Sequence, residues 1–149
     1  VGEKLGQYYL REYVPEDSGD GSIMIVIATD APLSDRNLTR VARRTFAGLA
    51  RTGAAFGHGS GDYAVAFSTN GDVRRTPKRR RSVASYAELP NELVSPLFQA
   101  AIEATEEAIY NALFQATTMT GYRGVTVESL PLDEVTALVQ ACAGASNVT

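Results

Sequence analysis

The stretch GDGSIMIVIATDAPL, residues 19–33, puts a hydroxyl at the mouth of an apolar run: Ser22 follows Gly21 and precedes Ile23, Met24, Ile25, Val26 and Ile27. A serine acts as a nucleophile when a base takes its proton and donors receive the oxyanion it generates. The chain has one histidine, His58, inside the glycine-rich segment GHGSGD. A Ser-His-Asp arrangement would have to use it, yet an imidazole in such a loop reads first as a local hydrogen-bonding group. No Cys/His pair or carboxylate–histidine spacing marks a metal site, so neither metal nor cofactor is expected. GHGSGD also lacks the lysine of a phosphate-binding loop and leads into a strand rather than a helix.

Serine has another route to a base. Cutting the Gly21–Ser22 bond would give Ser22 a free α-amino group on its own backbone. With a reference pKa of about 8, part of that amine is neutral near neutral pH and can take the hydroxyl proton. Glycine before the serine tolerates the strained backbone that attack on its own carbonyl requires. The plainer reading of the same residues is a turn leading into a strand.

Elements must hold these groups in place. Residues 15–21, PEDSGDG, are turn-formers and carboxylates, expected as a surface loop. Residues 22–29 are short and β-branched, which predicts a strand covered on both faces. Ser34 is the expected N-cap of a helix whose inner face carries Leu38, Val41, Ala42, Thr45 and Leu49, with Gly53 as its stop. Residues 62–69 alternate large Tyr63, Val65 and Phe67 with small Ala64, Ala66 and Ser68, a second strand. Residues 70–90 read as a long polar loop. A helix from Ser95, with Pro96 in its first turn, runs to about residue 117 and lines one face with Phe98, Ile102, Thr105, Ile109, Ala112 and Leu113. TGYRGVTVESLP predicts a turn and a short strand, and residues 132–142 a last amphipathic helix. This order implies mixed α and β layers, an α+β class.

A chain of 149 residues with 44% hydrophobic content suits one domain with a real core. A net charge of −3 gives no global attraction to nucleic acid or membrane. With Cys142 alone, no intramolecular disulfide forms. No apolar run reaches the roughly 18 residues of a spanning helix, and residues 1–21 hold no signal-peptide core. The cytoplasm is the expected compartment, with the periplasm as the alternative. The opening reads as the continuation of a longer polypeptide.

Three motifs in order, GSIMIVIATDAPL, ARTGAAFGHGSGDYAVAFSTN and LFQAAIEATEEAIYNALFQATTMTG, closely resemble the L-aminopeptidase/D-amidase-esterase (DmpA) and β-peptidyl aminopeptidase family. The likeness runs from about Gly19 to the C-terminus. It implies an αββα layered sandwich like that of N-terminal-nucleophile hydrolases, of which this chain supplies only part. It implies a precursor that cleaves itself, so that residues 1–21 are the tail of a larger subunit and residues 22–149 the smaller subunit bearing the nucleophile. Ser22 is then the nucleophile, Gly21–Ser22 the scissile bond, Ser60 the second active-site serine and Asp62 its acid, where the family often has glutamate. The plain alternative for Ser60 and Asp62 is a hairpin-type turn. The family's oxyanion asparagine and the acid that recognises the substrate amine lie upstream of this chain. Implied partners are a peptide or amino-acid amide or ester substrate and the larger subunit, in an oligomer of heterodimers, without nucleic acid or membrane. Without the larger subunit this chain would be inactive.

Two rivals come from other classes. Ornithine acetyltransferases share the architecture and self-cleavage but use threonine, against Ser22 here. RRTPKRRR, residues 74–81, gathers six of the fourteen Lys and Arg, which would serve an anion- or nucleic-acid-binding module. It carries no aromatic to stack on bases, and reads first as a solvated loop. Asn111, on the second helix, is a weaker candidate for the site.

Overall fold

The first strand, β1 (Met24–Thr29), runs into helix α1 (Asp35–Arg51), which returns the chain to strand β2 (Tyr63–Ser68). The two strands are parallel and in register from Met24 beside Tyr63 to Thr29 beside Ser68. A parallel pair needs a crossover between its strands, and α1 is that crossover. In a computed structural model, residues 21–145 are described. The tail and most of the acidic loop expected before Gly21 lie outside them.

The chain divides into two units, with the boundary inside helix α2 (Ser95–Gln115). In the first unit, residues Asp20–Ala108, α1 packs on one face of the β1–β2 pair. Val41, Ala42, Thr45 and Leu49 are buried at the predicted spacing. Leu33, Val41, Val94 and Ala101 form the centre of the core, against which Ile27, Leu38, Ala66, Leu89, Leu97 and Phe98 pack. The small residues of β2 turn toward α1, and its large ones turn away.

Of the two faces expected to be covered, the described residues cover the one that packs on α1. Met24, Val26, Tyr63, Val65 and Phe67 remain exposed, Met24 at 68% and Tyr63 at 63%. The near-continuous apolar run reports two apolar faces, but the described residues supply a covering layer for only one.

Helices α1 and α2 approach closely at Gly48, where a Cβ would collide with the Ile102 carbonyl oxygen and lie 2.9 Å from the Thr105 Cβ. The buried hydroxyls at this seam are satisfied within their own helices, Thr45 Oγ1 donating to Ala42 O and Thr105 Oγ1 to Ala101 O, each at 2.7 Å. Arg51 and Glu106 pair across it at 3.2 Å. Arg40 and Arg44 both lie over the Phe98 ring, 4.9 and 4.5 Å from its centre. Ser34 occupies the N-cap position, but its hydroxyl donates to Glu88 instead of capping the helix. Gly53 ends the helix as predicted, at φ +100°.

The polar segment 70–90 is ordered by its own arginine. Arg79 donates to the carbonyls of Gly71 and Asp72 at 3.1 and 2.8 Å, and with Arg75 lies over the Tyr86 ring. Asn37, buried inside α1, donates to Glu88 at 3.0 Å and anchors the end of the segment.

The second unit, as far as it is described, contains a small antiparallel pair, β3 (Met119–Thr120) and β4 (Thr126–Val127), where only one strand was expected. A tight turn at Tyr122–Gly124, with Arg123 at φ +60° and Gly124 at φ +76°, joins them. Helix α3 (Leu132–Ala145) follows, with Val135 buried.

Candidate active site

Both strands begin at the same end of the sheet because they are parallel. Whatever precedes β1 therefore meets whatever precedes β2. The ladder continues one step before the strands, with Tyr63 N–H donating to Ile23 O at 2.9 Å. Beyond it, the same register brings Ser22 beside Gly61.

Ser22, Ser60 and Asp62, far apart in sequence, are thereby brought together with the Gly21 carbonyl. Ser60 Oγ lies 2.6 Å from Asp62 Oδ2 and 2.9 Å from Gly21 O. The Gly61 N–H donates to Ser22 Oγ at 3.0 Å. Gly21 and Ser22 are exposed, while Ser60 and Asp62 are half-buried. A hairpin-type turn at Ser60–Asp62 is excluded by the parallel pairing of the strand that follows.

The hydroxyl of Ser60 has one proton and two acceptors in reach. The Ser60 hydroxyl thus links Asp62 Oδ2 to the carbonyl oxygen that precedes Ser22.

Gly61 is the participant that reading the sequence missed. Its backbone N–H holds the Ser22 hydroxyl, and its lack of a side chain makes room for it: a Cβ there would stand 3.2 Å from Ser22 Oγ. The glycine-rich spelling of GHGSGD is a signal of close backbone approach, but only the strand register tells which glycine is used. A turn closed by Ser60 N–H on Gly57 O, at 3.0 Å, presents the segment.

His58 lies exposed on that turn, and none of the hydrogen bonds or ion pairs among the described residues involves it. Asn111 is exposed on the later part of α2. Among the described residues no group of three or more His, Cys, Asp or Glu is placed to hold a metal ion, and no helix is long and apolar enough to cross a membrane.

Residues 1–127 match the family described as peptidase family S58. The chain is 42% identical over 151 residues to the β-peptidyl aminopeptidase BapA of Sphingosinicella microcystinivorans, which covers 94% of this chain and 37% of the relative. Among solved structures it is similar to an L-aminopeptidase D-Ala-esterase/amidase from Ochrobactrum anthropi, described as a prototype for the serine aminopeptidases and a new variant among the Ntn hydrolase fold. That likeness has a TM-score of 0.77 at 30% identity and covers 93% of this chain and 38% of the other. A β-aminopeptidase from Burkholderia sp. gives 0.68 at 35% identity, over 90% and 37%. The α+β fold expected from the sequence is therefore that of Ntn-hydrolase relatives, and the chain spans about a third of the length of the curated relatives it matches.

Proposed function

Because the chain belongs to peptidase family S58, we propose that it is the nucleophile-bearing part of a self-processing serine aminopeptidase. The enzyme is cut between Gly21 and Ser22 and hydrolyses peptides, amides or esters whose acyl residue has a free amino group. One observation carries this reading: Ser60 Oγ stands 2.9 Å from Gly21 O and 2.6 Å from Asp62 Oδ2 while Gly61 N–H holds Ser22 Oγ at 3.0 Å.

In the uncut chain Ser22 Oγ attacks the Gly21 carbonyl carbon. The new C–O bond forms, the C–N bond to Ser22 breaks, and the hydroxyl proton ends on the released α-amine. Ser60 is placed on the oxygen that becomes the oxyanion, where a pre-positioned donor helps most. Water then hydrolyses the ester, leaving a Gly21 carboxylate and a free Ser22 hydroxyl.

In the cut enzyme the α-amine of Ser22 serves as base for its own hydroxyl. The resulting ammonium returns the proton to the departing amine of the substrate. Asp62, acting through Ser60, places negative charge near that ammonium, much as the acid of a triad supports an imidazolium. Residues before Ser22 belong to the larger subunit, which supplies the groups that bind the substrate's amine. The two chains stay together and assemble as an oligomer of heterodimers.

The decisive assay for this reading pairs free and N-acetylated amino-acid p-nitroanilides on the full-length protein. Hydrolysis confined to the free-amine substrates supports the aminopeptidase. Equal rates on blocked and free substrates overturn it.

A further inference from the structure

We propose that Tyr63, with Met24 beside it, forms the wall of the substrate site next to the nucleophile. Tyr63 there selects an apolar side chain on the residue that carries the scissile carbonyl. The inference rests on Ser22 being the nucleophile.

Side chains alternate across a strand, so Ser22 shares its face with Met24, and Gly61 shares its face with Tyr63. Met24 and Tyr63 are direct partners in the parallel register. Both lie on the face of the strand pair that does not pack on α1. They are the first large side chains met on moving along the sheet from Ser22.

Gly61 defines the space between them. The point where its Cβ would sit is 3.2 Å from Ser22 Oγ and 3.6 Å from Tyr63 Cε2. An atom placed just above Gly61 therefore touches both the nucleophile and the edge of the ring. None of the hydrogen bonds among the described residues involves the Tyr63 hydroxyl.

The acyl part of a substrate becomes bonded to Ser22 Oγ while the leaving group departs. It is the acyl residue's side chain, one or two carbons from that bond, that stays over Gly61 and against Tyr63. An aromatic ring offers a large apolar contact with few rotatable bonds, and the thioether of Met24 adapts to side chains of different shape. A charged side chain would lose water against the ring and the thioether, and neither of these offers it a partner. The wall thus favours leucyl- or phenylalanyl-type acyl groups over glycyl or aspartyl ones, with loose discrimination among apolar shapes.

The test uses the full-length mature enzyme and p-nitroanilides of glycine, leucine, phenylalanine and aspartate, in whichever α- or β-amino series the wild type cleaves. The readout is the ratio of kcat/KM for phenylalanyl over glycyl substrate, which cancels any general loss of active sites. Tyr63→Ala is expected to lower that ratio about tenfold or more, and Tyr63→Phe to keep it within about threefold of wild type. Should Tyr63→Ala fail to mature, Tyr63→Leu serves, with the phenylalanyl preference again falling severalfold. A ratio unchanged in Tyr63→Ala or Tyr63→Leu overturns the wall while leaving the aminopeptidase intact. A wild type inactive on every free-amine substrate overturns the function itself.

Discussion

Substituting Gly61 by alanine perturbs the site by one methyl group and little else. The backbone N–H that holds Ser22 is retained, and Gly61 is not in the left-handed region that only glycine favours. The new Cβ would stand 3.2 Å from Ser22 Oγ, 3.8 Å from Ser22 Cβ and 3.6 Å from Tyr63 Cε2. Only the first of these is tighter than ordinary contact, so the hydroxyl must retreat by a few tenths of an ångström. Misplacement of about 1 Å costs a reaction on the order of a hundredfold, so this smaller shift should slow self-cleavage about three- to tenfold. Turnover suffers more, because the methyl also occupies the space over Gly61 where the acyl group must lie. We expect kcat/KM to fall by roughly 10- to 100-fold. Melting temperature should stay within a few degrees of wild type, since the site is at the surface end of the strands. The assay follows precursor disappearance by intact mass after expression at low temperature, then p-nitroanilide kinetics on the matured fraction. Maturation and turnover at wild-type rates in Gly61→Ala would refute the placement of Ser22 against Gly61.

Ser60→Ala removes the hydroxyl aimed at Gly21 O and should slow precursor cleavage about 10²- to 10³-fold, read from the time course of the two fragments. Asp62→Asn should lower kcat about 10²-fold or more with the fold retained, while Asp62→Glu, which keeps the carboxylate, retains substantial activity. Wild-type turnover in Asp62→Asn would remove Asp62 from the mechanism. Gly48→Ala drives a methyl into the Ile102 carbonyl and should destabilise the protein by about 1–3 kcal/mol in a denaturant titration, without changing the substrate ratios.

Periodicity made the long elements legible. Val41, Ala42, Thr45 and Leu49 lie on one stripe of α1, and Ser95–Pro96 opens α2, because helical spacing and capping chemistry are local properties. Ser34 shows where local reading ends: its position at the helix start is right, but its hydroxyl is taken by Glu88, far along the chain. Asn37 is the same lesson in reverse, a polar residue buried because a distant carboxylate receives it. Ser22 stood out from its Gly-Ser setting, whereas Ser60 and Asp62 were named only through resemblance. What joins all three is the parallel register of β1 and β2, a non-local fact that no spacing within either segment encodes. The same register selects Gly61 among three nearby glycines. The apolar run tells that the sheet has two apolar faces; the described residues cover the one that packs on α1, and no spacing within the run tells which segment meets the other.

The central claim is that Ser22 becomes a chain terminus and, through its own α-amine, the catalytic nucleophile. Intact-mass analysis with N-terminal sequencing of the purified full-length protein tests it most directly, alongside Ser22→Ala prepared in the same way. Wild type should give two chains, the smaller beginning Ser-Ile-Met-Ile, and Ser22→Ala one uncut, inactive chain. A wild type that hydrolyses free-amine substrates while its Gly21–Ser22 bond remains intact would contradict it.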